Sequence, residues 1–484
     1  MNKYHFAKLI YLAFWLCGVA AISLPGQTVT TLASFDSTNG ANPSSALIQG
    51  LDGNLYGIVP SGGVNNAGTI FKITPSGSLS TVHQFCSKAK CADGSGPLSS
   101  LVLANDGNYY GTTTGGGANQ NGTVFKLTPA GKLATLYSFC SLSPNCADGT
   151  LPEGGVIQGA NGNLYGTTSG GGTDGFGTIF EITLAGKLTT LYRFCSDGNC
   201  GQFPQAPLVQ ATNGEIYGMT PGGGSGDWGV IFEITPNGKE TTLYTFGSDG
   251  LNPRSGLIQA SNGLLYGSTL IGGFGGDGML FSMTPAGKVT SLYDFCALAN
   301  CTDGANPYAG PIQGTDGNLY GATAGGGANT TDCASGCGTL YKITTTGKLT
   351  TLYSFCSQSN CADGIGPDGN LVQATTGTFY GTTHFGANSA CNFGCGTIFS
   401  LSVGLGPFVQ TVTTSGQIGA KVIILGNGLS GTTSVKFNGT PATFTVVSST
   451  EITTTVPTGA TTGIVEVTTP SRTLKSNVKF RVRS

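Results

Sequence analysis

Apolar and polar residues alternate along short runs of this chain, and turn-forming residues separate the runs. Residues 123–128 and 133–139 show the period of two that is typical of half-buried β-strands. Residues 106–108 read Asp-Gly-Asn between two apolar runs and predict a tight hairpin turn, because Gly tolerates a positive φ. Residues 129–131 read Pro-Ala-Gly and predict a second turn, since Pro presets φ. The stretch therefore predicts four strands joined by two tight turns and two longer loops.

The four-stranded unit is repeated along the chain, and its most regular mark is a tyrosine–glycine step that recurs about every 54 residues. Seven such units predict an all-β fold, a seven-bladed β-propeller with the first strand of each unit at the centre and the fourth outermost. A right-handed β-helix is the alternative, although its coils are usually shorter and lack regular hairpin turns. The seven steps begin at Tyr56, Tyr110, Tyr165, Tyr217, Tyr266, Tyr320 and Tyr380.

The two ends of the repeat region carry complementary parts of one unit. Thr28–Phe35 matches the fourth strand of a unit, and Gly396–Val403 matches the third strand. The N-terminal strand can therefore complete the last unit, which would leave no open seam between the first and last units. We expect Thr28–Phe35 to pair antiparallel with Gly396–Val403.

The predicted strand order assigns the connections of each unit to two faces. The tight turns, between the first and second and between the third and fourth strands, share what we call the tight-turn face. The second-to-third loops and the loops between units share the opposite loop face, which also carries fourteen cysteines. Long loops on one face of a rigid scaffold favour a recognition surface. The alternative is that Gly-rich loops need stiffening only to stay folded.

Fourteen of the 15 cysteines fall into seven local pairs. An even number predicts disulfides if the chain is exported, which its N-terminus indicates as described below, and each disulfide would close a small loop. Zinc is the alternative, because Cys333 with Cys337 and Cys391 with Cys395 have a spacing that fits zinc ligands. The predicted disulfides join Cys86 to Cys91, Cys140 to Cys146, Cys195 to Cys200, Cys296 to Cys301, Cys333 to Cys337, Cys356 to Cys361 and Cys391 to Cys395.

Composition narrows the class of protein further. Gly supplies 81 of the 484 residues, whereas charged residues make up 9% of the chain. Clustered glycines exclude collagen, and the shortage of Ala, Glu, Lys and Leu excludes coiled coils. A hydrophobic content of 39% with a net charge of −2 argues against disorder. The near-neutral charge balance also argues against nucleic acid or an anionic membrane surface as a partner.

The N-terminus predicts a signal peptide over residues 1–26. Lys3 and Lys8 precede the apolar run Leu9–Cys17, and small residues follow it. A short membrane anchor is the alternative, but the run is too short to span a bilayer comfortably. We therefore expect an exported protein, extracellular or at the cell surface, without a membrane span in the mature chain.

A second domain follows the repeats. After Val403 there are no cysteines, Gly becomes less frequent, and Thr and Val become more frequent. We expect a repeat domain at 27–404 and a small β-sandwich at 405–484. Alternating runs predict sandwich strands at 421–425, 434–437, 451–456, 463–468 and 478–482.

Both domains resemble known families. The pattern Leu-Tyr-Gly-Thr-Thr-x-Gly-Gly-Gly followed by Gly-Thr-Ile-Phe-Lys-Ile-Thr resembles the GloVer tandem repeat of exported bacterial proteins, over about residues 28–403. The first resemblance implies a secreted or surface-associated protein with no established activity. The C-terminal domain resembles the IPT/TIG immunoglobulin-like domain, which implies a spacer or an interaction module. The segments that carry this second resemblance are 422–426, 435–439, 456–460 and 463–467.

The sequence offers little for catalysis, and we expect no catalytic residue, no cofactor and no metal. Nucleophilic catalysis usually needs a His base, and the chain has three His. His5 lies in the predicted signal peptide, His83 lies on a predicted fourth strand, and His384 lies on the loop face. Four aspartates recur before Gly in the loops between units, which fits Asx-turns better than catalysis. They are Asp93, Asp148, Asp303 and Asp363.

Aromatic and acidic side chains on the loop face form the candidate ligand site. Trp228 beside Asp227 matches a sugar platform, a flat apolar ring next to a hydrogen-bond acceptor. The alternative is that these rings pack against neighbouring loops. The candidate ligand-binding residues are Trp228, Asp227, Phe176, Asp174, His384, Glu153 and Phe274.

Three functions remain open from the sequence. The first is non-catalytic binding or adhesion, with a glycan or surface polymer on the loop face and a protein partner at the C-terminal domain. The second is a polysaccharide hydrolase or lyase, which requires two carboxylates, or a carboxylate with His384 or a Tyr, to converge on the loop face. The third is a purely structural surface repeat.

Overall fold

The structure is a computed structural model that describes residues 27–195, 200–247, 250–330, 332–387, 390–391 and 393–483. The predicted signal peptide, residues 1–26, lies outside the described residues. Antiparallel strands dominate, which confirms the predicted all-β class. The helical segments within the described ranges are three 3-10 turns, Ala89–Cys91, Ala299–Cys301 and Ser359–Cys361. Over those same ranges, no helix is both long enough and apolar enough to cross a membrane.

Seven four-stranded antiparallel sheets follow one another along the repeat region. Sheet 1 consists of Ile48–Gln49, Leu55–Val59, Thr69–Ile73 and Leu79–Gln84. Sheet 2 consists of Val102–Leu103, Tyr109–Thr113, Thr123–Leu127 and Leu133–Ser138. Sheet 3 consists of Val156–Gln158, Leu164–Thr168, Thr178–Ile182 and Leu188–Arg193. Sheet 4 consists of Val209–Gln210, Ile216–Thr220, Val230–Ile234 and Glu240–Thr245.

The remaining sheets follow the same order of strands. Sheet 5 consists of Ile258–Gln259, Leu265–Thr269, Met279–Met283 and Val289–Asp294. Sheet 6 consists of Ile312–Gln313, Leu319–Thr323, Thr339–Ile343 and Leu349–Ser354. Sheet 7 consists of Val372–Gln373, Phe379–Thr383, Thr397–Ser402 and the N-terminal strand Thr28–Ser34. A short extra pair, Gly201–Gln202 with Gly222–Gly223, lies beside sheet 4.

The N-terminal strand completes the last sheet. Thr28–Ser34 pairs antiparallel with Thr397–Ser402, with Thr28 opposite Ser402 and Ser34 opposite Thr397. This confirms the predicted pairing, because the observed strands lie inside the two predicted segments. Residues 363 to 374 positions apart in the chain are therefore joined by one ladder of backbone hydrogen bonds.

Apolar clusters join each sheet to the next. Tyr165 and Ile179 of sheet 3 pack in one cluster with Phe232 of sheet 4. Phe71 of sheet 1 shares a cluster with Ile398 of sheet 7. Equivalent clusters join the other five pairs of neighbours. Contacts therefore run from each sheet to the following one and from the seventh back to the first.

The glycine of the tyrosine–glycine step is required by this packing. A Cβ added at Gly166 would lie 2.6 Å from Cζ of Phe180 and 2.6 Å from the carbonyl oxygen of Gly155. Phe180 lies on the third strand and is fully buried. The step therefore leaves room for the aromatic ring of the Gly-Thr-Ile-Phe run, which explains why both motifs recur together.

Glutamine side chains link the first strands of neighbouring sheets. Gln158, at the end of the first strand of sheet 3, accepts a hydrogen bond from the backbone N–H of Asn105, at 2.9 Å. The same link recurs from Gln49, Gln210, Gln259, Gln313 and Gln373 to the preceding sheet. Sheet 2 has Leu103 at this position, and it packs in an apolar cluster with Ile423 and Leu425. These links hold the first strands of the seven sheets close together.

The C-terminal region forms two further four-stranded sheets around one apolar core. In spatial order, one contains Gln410–Thr411, Lys421–Leu425, Glu451–Thr455 and Phe444–Val446. The other contains Thr440–Ala442, Ser434–Phe437, Val465–Thr468 and Thr473–Lys475. Ser415–Gln417 pairs in parallel with Arg481–Arg483. The five predicted strands are present, two with the predicted ends and three with shifted ends, whereas the additional strands of two or three residues were not predicted.

The C-terminal region packs against the tight-turn face. Thr450 Oγ1 donates a hydrogen bond to the carbonyl of Leu51, at 2.7 Å. The guanidinium of Arg483 donates to the carbonyl of Ala160, in the corresponding turn of sheet 3. Together with the apolar contact at Leu103, these bonds fix the C-terminal sheets on the side away from the loops.

Candidate functional site

Seven disulfides stiffen the loop face, and each joins two cysteines of one local pair. They are Cys86–Cys91, Cys140–Cys146, Cys195–Cys200, Cys296–Cys301, Cys333–Cys337, Cys356–Cys361 and Cys391–Cys395. The sulfur atoms of Cys337, Cys356 and Cys361 lie within 4.8 Å of one another. Because all three are bonded as disulfides, they offer no thiolate to a metal.

The recurring aspartates of these loops have a structural role. Asp148 is fully buried, and its carboxylate accepts hydrogen bonds from the backbone N–H groups of Ser141 and Leu142, at 2.9 and 3.0 Å. The hydroxyl of Tyr137 also donates to it, at 2.8 Å. Asp93, Asp303 and Asp363 make the same backbone bonds. These carboxylates therefore close the loops, and their role is to stabilise the scaffold.

His83 takes the position that Tyr137 has in the next unit. Its Nε2 lies 3.2 Å from Oδ2 of Asp93. Burial lowers the pKa of His83, and the nearby carboxylate offsets part of that effect. His83 is half-buried on the fourth strand Leu79–Gln84, as the sequence predicted, and its contact with Asp93 supports the loop.

An open groove of about 420 Å³ lies on the loop face between sheets 4 and 5. Trp228 and Phe203 each keep 41% of their surface exposed there. Phe176 packs edge-on against Phe203, with ring centroids 5.3 Å apart. The groove is lined by Phe203, Gln205, Pro221, Gly222, Asp227, Trp228, Leu251, Asn252 and Arg254.

Polar groups surround the two exposed rings. Arg254 Nε donates to Oδ1 of Asn252 at 2.9 Å. This hydrogen bond orients the guanidinium group. Asp227 accepts the backbone N–H of Gly223 at 2.7 Å. Burial raises the pKa of Glu153, while hydrogen bonds with Ser169 and Gln205 and the charge of Arg254 offset part of the rise. The groove thus combines flat apolar surfaces with both hydrogen-bond donors and hydrogen-bond acceptors.

A second cluster lies in sheet 7 on the same face. His384 Nδ1 lies 3.3 Å from Oδ2 of Asp368, close enough for an ion pair but out of line for a hydrogen bond. Burial raises the pKa of Asp368 to about 7 and lowers the pKa of His384. Both shifts favour the neutral forms, because burial penalises charge. A carboxyl group and an imidazole therefore meet on the loop face.

The structure brings some predicted site residues together and leaves others apart. Trp228 and Asp227 line the groove, Phe176 supports it through Phe203, and Glu153 approaches it through Gln205. Asp174 is exposed in the loop before Phe176 and does not line the groove. Phe274 is 99% exposed, and His384 belongs to the separate cluster with Asp368.

Sequence reasoning missed Phe203, Gln205, Arg254 and Asp368. All four flank a Pro in the loops between units, and the residue after that Pro differs from unit to unit. This variation within a repeated frame is a signal for Gln205, Arg254 and Asp368, which follow the Pro, but not for Phe203, which precedes it.

A smaller cavity of about 170 Å³ lies at the opposite end of the repeats. Asp52 and Tyr380 of the repeats and Thr450 of the C-terminal region are among its lining residues. It lies between the tight-turn face and the C-terminal sheets, so it belongs to the contact between the two parts of the chain.

Family comparison agrees with the repeat pattern and the C-terminal sheets. The Gloeobacter/Verrucomicrobia repeat matches residues 18–152, 141–301 and 296–439, and the IPT/TIG domain matches residues 407–482. The chain belongs to the Gloeobacter/Verrucomicrobia repeat family and carries a C-terminal IPT/TIG domain, which confirms both resemblances. A search of curated proteins finds no match.

Solved structures resemble the chain only remotely. A protein from Lactobacillus plantarum is 12% identical over 84% of this chain and 97% of its own length, with a TM-score of 0.46. An auxiliary nutrient binding protein from Bacteroides thetaiotaomicron VPI-5482 is 12% identical over 78% of this chain and 76% of its own, with a TM-score of 0.42. A protein of unknown function from Dyadobacter fermentans DSM 18053 is 11% identical over 78% and 99%, with a TM-score of 0.39. At these values no function is transferred from them.

Proposed function

We propose that this protein is an exported, non-catalytic glycan-binding protein built on a closed seven-bladed β-propeller. Two observations support the ring: the N-terminal strand Thr28–Ser34 pairs within sheet 7, and apolar clusters join all seven neighbouring pairs of sheets. Closure removes the exposed edges at which an open array of sheets would aggregate. The proposed division is a signal peptide at 1–26, the propeller at 27–404 and the IPT/TIG domain at 405–484.

Seven disulfides support export, because disulfides persist in oxidising compartments. The N-terminal charge and apolar pattern supports it independently. In this proposal the disulfides hold the loop face rigid, so a ligand meets loops that are already ordered.

The groove around Trp228 carries the binding proposal. Its indole keeps 41% of its surface exposed, although an apolar ring of this size is usually mostly buried. Asp227, Asn252 and Arg254 line the same groove. Sugars need this combination, since their ring faces stack on aromatic groups while their hydroxyls take hydrogen bonds.

Binding of the purified full chain to a glycan array tests the proposal. We expect at least one polysaccharide class to bind and Trp228→Ala to abolish the signal. Phe274→Ala is the matched control, because Phe274 is 99% exposed on the same face but does not line the groove. If no surface polymer binds the folded protein, or if both variants behave alike, the proposal fails. The alternatives are then a polysaccharide hydrolase or lyase and a purely structural repeat.

One observation favours a polysaccharide hydrolase or lyase as a second candidate. The condition set by the sequence was a carboxylate next to His384 on the loop face, and Asp368 lies 3.3 Å from that imidazole. A carboxyl group with a pKa of about 7 can donate a proton near neutral pH, and a neutral imidazole can accept one. This is the pairing that general acid–base catalysis uses.

Depolymerisation assays on the full chain distinguish the two candidates. An enzyme would release reducing ends from a polysaccharide, and His384→Gln and Asp368→Asn would each abolish the release while leaving the fold intact. Binding without any product from the wild-type chain would exclude this candidate for the polymer tested and leave the non-catalytic proposal standing.

A further inference from the structure

Seven buried prolines hold equivalent positions around the loop face. Each lies before the first strand of a sheet, as Pro152 does before Val156–Gln158. Each packs against the glycine that precedes the third strand of the preceding sheet. A Cβ on Gly122 would lie 2.6 Å from Cδ of Pro152, and a Cβ on Gly177 would lie 3.0 Å from Cδ of Pro204. Because Pro fixes its own φ and these contacts are tight, the following residue is held in the same place in every unit.

The residue after this Pro is different in all seven units, although the Pro itself recurs in each. Each lies three or four residues before the first strand of its sheet, at the loop-face end of the linked first strands. A scaffold role would favour the same residue at equivalent positions, as for the glycines and prolines around it. We call these seven residues the belt: Ser44, Leu98, Glu153, Gln205, Arg254, Tyr308 and Asp368.

Both chemical features of the loop face include belt residues. Gln205 and Arg254 line the groove, and both act on the nearby Glu153 carboxyl group, whose pKa they lower against the effect of burial. Asp368 is the carboxyl partner of His384. Glu153, Gln205 and Arg254 come from three successive sheets, so the belt is continuous along this arc.

Arg254 is the cationic side chain among the lining residues of the groove, and Asp227 is the acidic one. Its Nε is engaged by Asn252, and the ion pairs among the described residues do not include its guanidinium. The side chain is exposed beside Trp228 in the groove. An exposed guanidinium with outer N–H groups available binds a planar carboxylate in a two-pronged fork.

We infer that the belt is one recognition surface, and that its arc at Glu153, Gln205 and Arg254 binds a uronate residue of an acidic polysaccharide. The uronate carboxylate pairs with Arg254, the sugar ring lies against Trp228, and Gln205 with Glu153 hydrogen-bonds its hydroxyls. This inference rests on the proposed glycan-binding function and adds the class of ligand to it.

Calorimetric titration of the full chain tests the inference. The probes are tetragalacturonate and a tetramer of glucuronate, each compared with its carboxyl-reduced neutral counterpart. We expect at least one acidic tetramer to bind more tightly than its reduced form. Arg254→Gln should weaken acidic binding about tenfold to a hundredfold, the effect of losing one charge-assisted pair. Arg472→Gln is the matched control, because it removes the same charge from an exposed arginine of the C-terminal domain.

The outcomes separate this inference from the function on which it rests. Equal affinity for the acidic and reduced tetramers, or equal effects of Arg254→Gln and Arg472→Gln, would overturn the uronate assignment. If neutral oligosaccharides bind and lose affinity in Trp228→Ala, the glycan-binding function stands while the inference fails. If neither kind of tetramer binds and the glycan array is also empty, the proposed function itself fails.

Discussion

The two faces of the repeat region differ in how closely the seven units agree. On the tight-turn face, Tyr110 donates to Asp106 at 2.8 Å, and Lys126 pairs with the same carboxylate at 2.9 Å. In sheet 3, the hydroxyl of Tyr165 instead donates to Glu181 at 2.9 Å. The hydrogen bond from the tyrosine to a carboxylate is therefore kept although the residue that supplies the carboxylate has changed. The substitutions between sheets 2 and 3 on this face are therefore compensated.

The loop face shows the opposite behaviour. Its belt residues change from unit to unit, and two of them leave exposed or weakly engaged functional groups, the Arg254 guanidinium and the Asp368 carboxyl. Its exposed rings include Trp228 and Phe203. Compensated change marks a position that supports the fold, whereas uncompensated change marks a position available for binding. Four predictions can break or sharpen this comparison, and they follow in order of decreasing effect on stability.

Of the four predicted substitutions, Gly166→Val should have the largest effect on stability. Its Cβ would approach both the backbone at Gly155 and the ring of Phe180 at 2.6 Å, and backbone cannot move aside easily. We expect a loss of about 3 kcal/mol in the free energy of unfolding, measured by urea denaturation. Gly406→Val is the control, because nothing lies within 4 Å of a Cβ there. Equal losses in both variants would contradict the close-packing explanation.

Asp148→Asn should cost less, about 2 kcal/mol at pH 7, because an amide cannot replace the charged acceptor. Burial by itself raises the pKa of Asp148, but the N–H groups of Ser141 and Leu142 with the Tyr137 hydroxyl outweigh it and hold the pKa below its ordinary value. A lowered pKa stabilises the fold above the unfolded-state pKa of about 3.9, and this contribution is lost as the pH falls through the folded-state pKa.

Thermal unfolding at pH 7, pH 5 and pH 3 measures that dependence. The difference between wild type and Asp148→Asn should be constant from pH 5 to pH 7 and shrink below about pH 4. Asp174→Asn, at an exposed loop position, should change stability by less than about 0.5 kcal/mol. A gap that stays unchanged down to pH 3 would show that the carboxylate charge contributes nothing.

Leu103→Gln tests the contact between the repeats and the C-terminal domain. Leu103 is 4% exposed and packs with Ile423 and Leu425, where the other sheets use Gln to link to a neighbour. Placing an amide in this apolar contact should cost about 1–2 kcal/mol. Calorimetric unfolding should then show the two domains melting further apart. The exposed Leu142→Gln is the control, and no difference between the two variants would mean that the apolar contact does not couple the domains.

Trp228→Ala should have the smallest effect on the fold, about 0.5 kcal/mol, because it removes a partly exposed loop residue. Phe180→Ala removes a ring from the core and should cost about 3–5 kcal/mol in the same urea denaturation. A large loss of stability in Trp228→Ala would show that this tryptophan supports the fold. The distinction between the two faces would then be weaker.

The sequence predicted the repeat elements well because their signals are local. The period of two, the Asp-Gly-Asn turns and the pairing of Thr28–Ser34 with Thr397–Ser402 all follow from residues inside one unit or from counting units. The short C-terminal strands Thr440–Ala442 and Phe444–Val446 escaped prediction, because two or three residues cannot show a period.

The candidate site was predicted only where its parts are neighbours in the chain. Trp228 and Asp227 adjoin each other in one loop, so their pairing was visible in the sequence. Phe203 and Arg254 reach the same groove from two other loops, about 25 residues before and after Trp228. The repeated Pro marks both positions in the sequence, but it does not show that their loops meet at Trp228.

By itself, the sequence determined the all-β class, the seven units, the pairing that joins their ends and the IPT/TIG domain, because turn chemistry and side-chain periodicity act over a few residues. Only the tertiary structure decided which loop residues meet: Arg254 with Trp228, Gln205 with Glu153, and Asp368 with His384. The physical reason is that the contacts between sheets, set by buried clusters and prolines, bring distant loops together. In a repeat scaffold, the binding surface is therefore formed by the few positions at which the repeat does not constrain the identity of the residue.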